Sequence, residues 1–110
     1  MGNSRGNRYS NTHVSLNNLT KDYWDFSWHE IGSIDVPTMI DFVLSRTGQQ
    51  KLHYVGHSMG TTSYFVMMSE KPHYASKIQS AQMLAPAAYM TYILTPYVRW
   101  IATYAYTFEM

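Results

Sequence analysis

The sequence predicts an α/β fold, a parallel sheet with flanking helices, and three observations carry that reading. The pentapeptide Gly56-His57-Ser58-Met59-Gly60 stands between a strand-forming run and a helix-forming run, so the chain turns sharply from sheet to helix there. An amphipathic helical pattern precedes it and a second strand-like run follows it, the order expected of a parallel sheet with helices packed on it. The composition is ordinary for a globular chain: 110 residues, 45% apolar, net charge +1. That length allows one domain at most. That charge points to neither nucleic acid nor an acidic tail. With no cysteine there can be neither a disulfide framework nor a cysteine metal site. Ten tyrosines, three tryptophans and eight methionines supply aromatic and soft apolar surface.

Residues 1–22 are rich in Asn, Ser, Gly and Arg and read as loop. Their polar start has no apolar core, so it is not a signal peptide. It opens like a myristoylation signal, but Gly6 stands where Ser or Thr is expected. Asn18-Leu19-Thr20 is a glycosylation sequon, which matters if the chain is secreted. In Trp24-Asp25-Phe26-Ser27-Trp28-His29-Glu30-Ile31-Gly32 the aromatics Trp24, Phe26 and Trp28 alternate. We expect them to cover one side of a core rather than to form a binding box. His29-Glu30 begins like a zinc-protease motif, but Ser33 occupies the place of the second histidine, so the motif fails.

Asp35 reads as a helix N-cap, or the residue next to it, with Pro37 in the first turn, where proline is tolerated. Val36, Met39, Ile40, Val43 and Leu44 recur at helical spacing, and Gly48 ends the helix. That stripe should pack on a sheet, leaving Asp41 solvated on the far face. Residues 51–55 then form a strand, and residues 61–70 a helix stopped by Pro72. Pro72-His73-Tyr74 is a turn. Residues 78–85 read as a second parallel strand ended by Pro86, although Gln79, Ser80 and Gln82 dilute its apolar character. Residues 78–98 carry no charge over 21 positions, a length that could span a bilayer. Pro86, Pro96 and two glutamines argue against an integral membrane span, and apolar helices of a cap facing lipid are the better reading.

The chemistry of the pentapeptide is that of a nucleophile elbow; the bland alternative is a glycine-rich turn. A serine at so tight a turn sits in strained backbone, with its hydroxyl pushed out at the edge of the sheet. Strand and helix nearly touch there, so Gly56 and Gly60 should pack almost without side chains. The helix beside Ser58 points its positive end at the site, and the Met59 N–H is the natural first oxyanion donor. Catalysis also needs a base. After Ser58 the only acids are Glu70 and Glu109 and the only histidine is His73. Glu70 and His73 fall at the far end of the helix, roughly 20 Å from Ser58. His57 should point away from its neighbour's hydroxyl, and His13, His29 and His53 read as structural or exposed. A metal is no substitute: His53 and His57 are four apart, which on a strand spans about 13 Å. No metal and no cofactor are expected.

Several blocks in order resemble the acid lipase family, the gastric and lysosomal acid lipase group with its insect members. They are Gly2-Asn3-Ser4-Arg5-Gly6-Asn7; Trp24 to Gly32; Asp35-Val36-Pro37 with Ile40-Asp41-Phe42-Val43; Lys51-Leu52-His53-Tyr54-Val55-Gly56-His57-Ser58; and Leu84-Ala85-Pro86-Ala87-Ala88-Tyr89-Met90. The resemblance implies an α/β-hydrolase fold, with residues 1–90 as part of the core and residues 91–110 as the start of a cap. It implies hydrolysis of esters in neutral lipids, and secretion or lysosomal residence for a complete member. The family has Gln after its serine where this chain has Met59. Its early strands and second oxyanion donor would precede Met1, and its triad Asp and His would follow residue 110. The expectation is therefore a partial serine ester hydrolase with Ser58 as nucleophile and Met59 as oxyanion donor, acting on a neutral lipid ester at a lipid interface, with no nucleic acid. Two other readings stay open: an inactive binding or interaction fragment, and another serine hydrolase of the same fold, such as a thioesterase.

Overall fold

The computed structural model describes residues 1–89, 95–97, 100 and 103. The chain enters through an irregular N-terminal segment and a single helical turn, α1 (Lys21–Trp24). The expected loop over residues 1–22 thus closes two residues early, on Lys21 and Asp22. Next comes one continuous helical run in three parts: α2 (Trp28–Glu30), a π-helical turn (Ile31–Asp35) and α3 (Val36–Thr47). Strand β1 (Leu52–His57), helix α4 (Met59–Glu70), a 3₁₀ turn (Pro72–Lys77) and strand β2 (Ile78–Leu84) complete it. The expected cap, residues 91–110, lies outside the described residues apart from 95–97, 100 and 103.

The helical run starts at Trp28, seven residues before Asp35. Ser27 is its cap: the Ser27 side chain accepts from the His29 N–H, and the Glu30 carboxylate accepts from the Ser27 N–H at 2.7 Å. This is a reciprocal capping box, which satisfies donors the first helical turn leaves free. Asp35 is therefore not an N-cap. Its φ of −67° and ψ of −49° are helical, and its carboxylate takes the Arg5 N–H at 3.0 Å and the Arg5 guanidinium at 2.6 to 3.1 Å. That pairing ties the N-terminal segment to the helix. Pro37 accounts for the π turn: it has no N–H and its ring crowds the preceding turn, so the ladder widens there and Val36 N–H reaches back to the Ile31 carbonyl.

The aromatic expectation is corrected as well. The helix that begins at Trp28 breaks the alternation, so Trp28 leaves the face that Trp24 and Phe26 share. Only Phe26 packs against the core; Trp24 stays 50% exposed and Trp28 54%. Trp24 stacks on Phe26 and donates its indole N–H to the Asn18 carbonyl.

The core joins Ile31, Val36 and Ile40 of the helical run to Met67 of α4 and Tyr74 of the 3₁₀ turn, with Leu52, Tyr54 and Ile78 of the sheet packed on it. Complete burial of Met67 contributes on the order of 2 kcal/mol. The predicted stripe of α3 faces this core through Val36 and Ile40, with Met39 and Leu44 partly buried, while Val43 remains 43% exposed. Gly32 sets how closely the run approaches α4: an added Cβ would lie 2.5 Å from Val66 Cβ and 2.8 Å from the Ser63 carbonyl. Strands β1 and β2 pair in parallel from Leu52 opposite Ile78 to His57 opposite Leu84, with a register shift after Leu52. Among the described residues no helix is long and apolar enough to cross a membrane.

Candidate active site

Ser58 stands alone between β1 and α4, at the carboxyl end of the strand and the amino end of the helix. Its φ of 51° and ψ of −116° lie where a residue with a side chain is strained, at a cost of about 1–3 kcal/mol. Position explains the strain. A serine just before a helix ordinarily folds its hydroxyl back onto the first turn as a cap. Here the Ser58 side chain makes no such bond, and the backbone twist leaves the hydroxyl on the wall of an open cavity.

The surrounding contacts hold that twist in place. Ser58 N–H donates to the Leu84 carbonyl of β2 at 3.0 Å. The Ser58 carbonyl accepts from the Thr61 N–H at 2.9 Å and the Thr61 hydroxyl at 2.6 Å. Tyr54 donates its phenol to the Gly60 carbonyl at 2.8 Å, bridging β1 to the first turn of α4. Burial, with the neighbouring Tyr64 next, pushes the Tyr54 phenol above its ordinary value, so it stays a neutral donor.

The two glycines of the motif do unequal work. A Cβ on Gly56 would lie 3.0 Å from the Gly60 carbonyl group and 3.0 Å from the Tyr54 ring, so the close approach of strand to helix depends on Gly56. A Cβ on Gly60 would come no closer than 4.0 Å to the Tyr54 hydroxyl. The expectation that both glycines make room for each other holds for Gly56 alone: the Gly60 backbone is the obstacle, and the direction of its own Cβ is open.

Met59 is the first residue of α4, so its N–H has no acceptor within the helix and shares in the positive end of the dipole. The cavity beside it holds about 800 Å³ and is lined by Trp28, Ser58, Met59, Thr62, Phe65 and Tyr89, among others. It is mostly apolar, suited to an extended apolar group with one polar end at the serine. The alternation of aromatics points Trp28 into the core, but the structure sets it on the wall of this cavity. The signal was present: Ser27 and Glu30 have the spacing of a capping box, which starts a helix at Trp28 and turns it away from Phe26.

The candidate bases lie elsewhere. Helix α4 runs 12 residues, about 18 Å, before Glu70, and His73 follows exposed in the 3₁₀ turn. His57 is exposed at the end of β1. His53 shares a hydrogen bond with Ser80 at 2.8 Å, and His13 accepts from the N–H groups of Ser15 and Leu16. Among the described residues no histidine is hydrogen-bonded to Ser58, and no three His, Asp or Glu side chains gather as a metal site. Asp41 lies on the exposed face, as expected, with its side chain 47% exposed, and there it accepts from the Tyr74 phenol at 2.7 Å and from Lys77 at 2.5 Å. It is a cross-link from α3 to the 3₁₀ turn, remote from Ser58.

The chain is similar along most of its length to proteins named lipases. Lipase 1 of Drosophila melanogaster is 54% identical over 105 residues, 94% of this chain and 24% of its own length. Lipase 3 of the same species is 55% identical over 99 residues, 90% of this chain and 25% of its own. Gastric triacylglycerol lipase of Bos taurus is 47% identical over 92 residues, 84% of this chain and 23% of its own. The chain thus spans about a quarter of the length of the curated relatives it matches. Residues 1–109 match the family described by the alpha/beta hydrolase fold, and to that family the chain belongs.

Proposed function

We propose that this chain is the nucleophile-bearing part of a serine ester hydrolase that acts on neutral lipid esters, such as a triacylglycerol or steryl ester. The observation that carries the reading is Ser58 in strained backbone, uncapped, between a parallel strand and a helix N-terminus, on the wall of an apolar cavity. Its similarity to proteins named lipases supports the lipid ester as substrate.

In the proposed mechanism the Ser58 hydroxyl attacks the ester carbonyl, and a histidine from outside this chain takes its proton, oriented by an acid also from outside. The Met59 N–H stabilises the oxyanion as it forms. The alcohol leaves with a proton from the histidine, and water then frees the fatty acid from Ser58. The acyl chain rests in the cavity between Trp28, Phe65 and Tyr89. The external base follows from chemistry: a serine hydroxyl without a base is a poor nucleophile, and no described histidine reaches it. The acid lipase resemblance supports secretion or lysosomal residence of the intact protein, with Asn18 as a glycan acceptor.

The test is hydrolysis of emulsified triacylglycerol and of a matched thioester by the intact protein, beside the 110-residue chain alone. We expect turnover of the ester by the intact protein and none by the isolated chain. Robust turnover by the isolated chain would overturn the external base, and preference for the thioester would overturn the substrate.

A further inference from the structure

We propose that Thr61 and Thr62 are positioning residues that lock the Ser58 turn to the loop after β2, so that one hydrogen-bonded unit sets both walls of the serine cavity. The proposal rests on the reading of Ser58 as nucleophile. It starts from backbone geometry. Among the described residues two non-glycine residues have positive φ, Ser58 at 51° and Ala85 at 48°. Each directly follows the last residue of a strand: Ser58 follows β1 and Ala85 follows β2, and those strands are neighbours. Strained residues persist where the surrounding structure over-determines them.

The over-determination is visible. Ser58 N–H donates to the Leu84 carbonyl at 3.0 Å, which joins the two turns directly. Thr61 is wholly buried. Its hydroxyl has a single proton, which it donates to the Ser58 carbonyl at 2.6 Å, and its oxygen accepts from the Ala87 N–H at 2.9 Å. Thr62 donates its hydroxyl to the Ala87 carbonyl at 2.6 Å. Both polar groups of Ala87 are therefore held by the first turn of α4, and one hydroxyl contacts the nucleophile's own backbone and the facing loop at once. Ala87, Ala88 and Tyr89 line one side of the cavity, and Met59, Thr62 and Phe65 line another.

The consequence is mechanical. A valine at position 61 keeps the shape of threonine but has neither the proton for Ser58 nor the lone pair for Ala87. The loop then loses its fixed distance from the serine, and a misplacement of about 1 Å at a reacting centre costs on the order of 100-fold in rate. A serine at position 61 restores both bonds.

The experiment compares Thr61→Val, Thr61→Ser and Thr62→Val in the intact protein, measuring kcat and KM for an ester and amide hydrogen exchange residue by residue. For Thr61→Val we expect kcat to fall about 10- to 100-fold with KM changed less than about threefold. Thr61→Ser should recover most of the loss. Thr62→Val should show a smaller fall, because water can reach the half-buried Ala87 carbonyl. Exchange at the Ala87 amide should accelerate at least about tenfold in Thr61→Val, with the Met67 amide toward the carboxyl end of α4 unchanged. An unchanged kcat, a loss that Thr61→Ser does not recover, or faster exchange along all of α4 would each overturn the lock. An intact wild type without ester turnover would sink the hydrolase reading instead. Exchange would still decide the lock, and an unchanged Ala87 amide in Thr61→Val would overturn it. If Thr61→Val does not fold, the same kcat and exchange criteria pass to Thr62→Val.

Discussion

The two ends of the short sheet are held by different physics. Where β2 begins, the bonds are ionic: Asp41 of α3 accepts from Tyr74 and pairs with Lys77, whose ammonium lies 4.4 Å from the centre of the Tyr74 ring. Where both strands end, the bonds are neutral: backbone amides and the hydroxyls of Tyr54, Thr61 and Thr62 hold two strained residues. The contrast separates stabilising from positioning. A half-exposed ion pair tolerates movement, because its energy varies slowly with distance and solvent screens it. A buried hydroxyl with one proton binds only in a narrow geometry, and it places no charge beside the serine that could disturb a neighbouring base.

The largest expected effect lies at the neutral end. Ser58→Ala in the intact protein should lower kcat about 10⁴- to 10⁶-fold while leaving the melting temperature nearly unchanged. Retention of most of the turnover would remove the positioning role from this end altogether.

Gly56→Ala comes next. The added Cβ would meet the Gly60 carbonyl group at 3.0 Å, and backbone yields less readily than a side-chain tip. A cost of about 1–3 kcal/mol in urea unfolding is expected, with a fall in kcat. A loss of stability without any loss of rate would blur the contrast between the ends.

Tyr74→Phe probes the ionic end. It should cost about 1–2 kcal/mol and leave kcat alone. The pH dependence has a definite sign. The bond to Asp41 pushes the Tyr74 phenol from 10.0 up to about 12. A raised value means that its contribution is complete below about pH 10 and is lost as pH rises through about 12. Lys77 first, then Tyr74, hold the Asp41 carboxyl below its ordinary 3.8, so that contribution is present above about pH 4 and is lost as pH falls through the lowered value. Wild type minus Tyr74→Phe should therefore be flat from about pH 4 to 10 and shrink outside that range. A maximum near neutrality would break the assignment.

The smallest effect belongs to Met59→Gln. Its side chain is 52% exposed and the proposed oxyanion contact uses only the backbone N–H, so kcat should stay within about twofold. A tenfold change in ester kinetics would show that the side chain shares in the site.

Much of the fold was legible because its signals are local. A short run of strand formers with Gly56 and Gly60 announced β1, the sharp turn and α4; Gly48, in left-handed backbone at φ 67°, ended α3 as expected. Parallel β2 was legible more faintly, from Ile78 to Ala85 and the proline after it, with Gln79, Ser80 and Gln82 diluting the signal. The misreadings share a cause. Asp35 has the chemistry of an N-cap, but Arg5, thirty residues away, claims its carboxylate. Trp24, Phe26 and Trp28 alternate in sequence, yet the helix that begins at Trp28 carries Trp28 away from Trp24 and Phe26, which stay stacked.

By itself the sequence determined where the chain bends and which serine stands at the bend, since strand, turn and helix depend on residues a few positions apart. Only the tertiary structure decided what surrounds that serine. Trp28 reaches its cavity across thirty positions of chain, and Ala87 meets Thr61 across 26. The threonines have no sequence signature of that role, because a hydroxyl selects its partner by proximity, and proximity between distant residues exists only once the helix lies on the sheet.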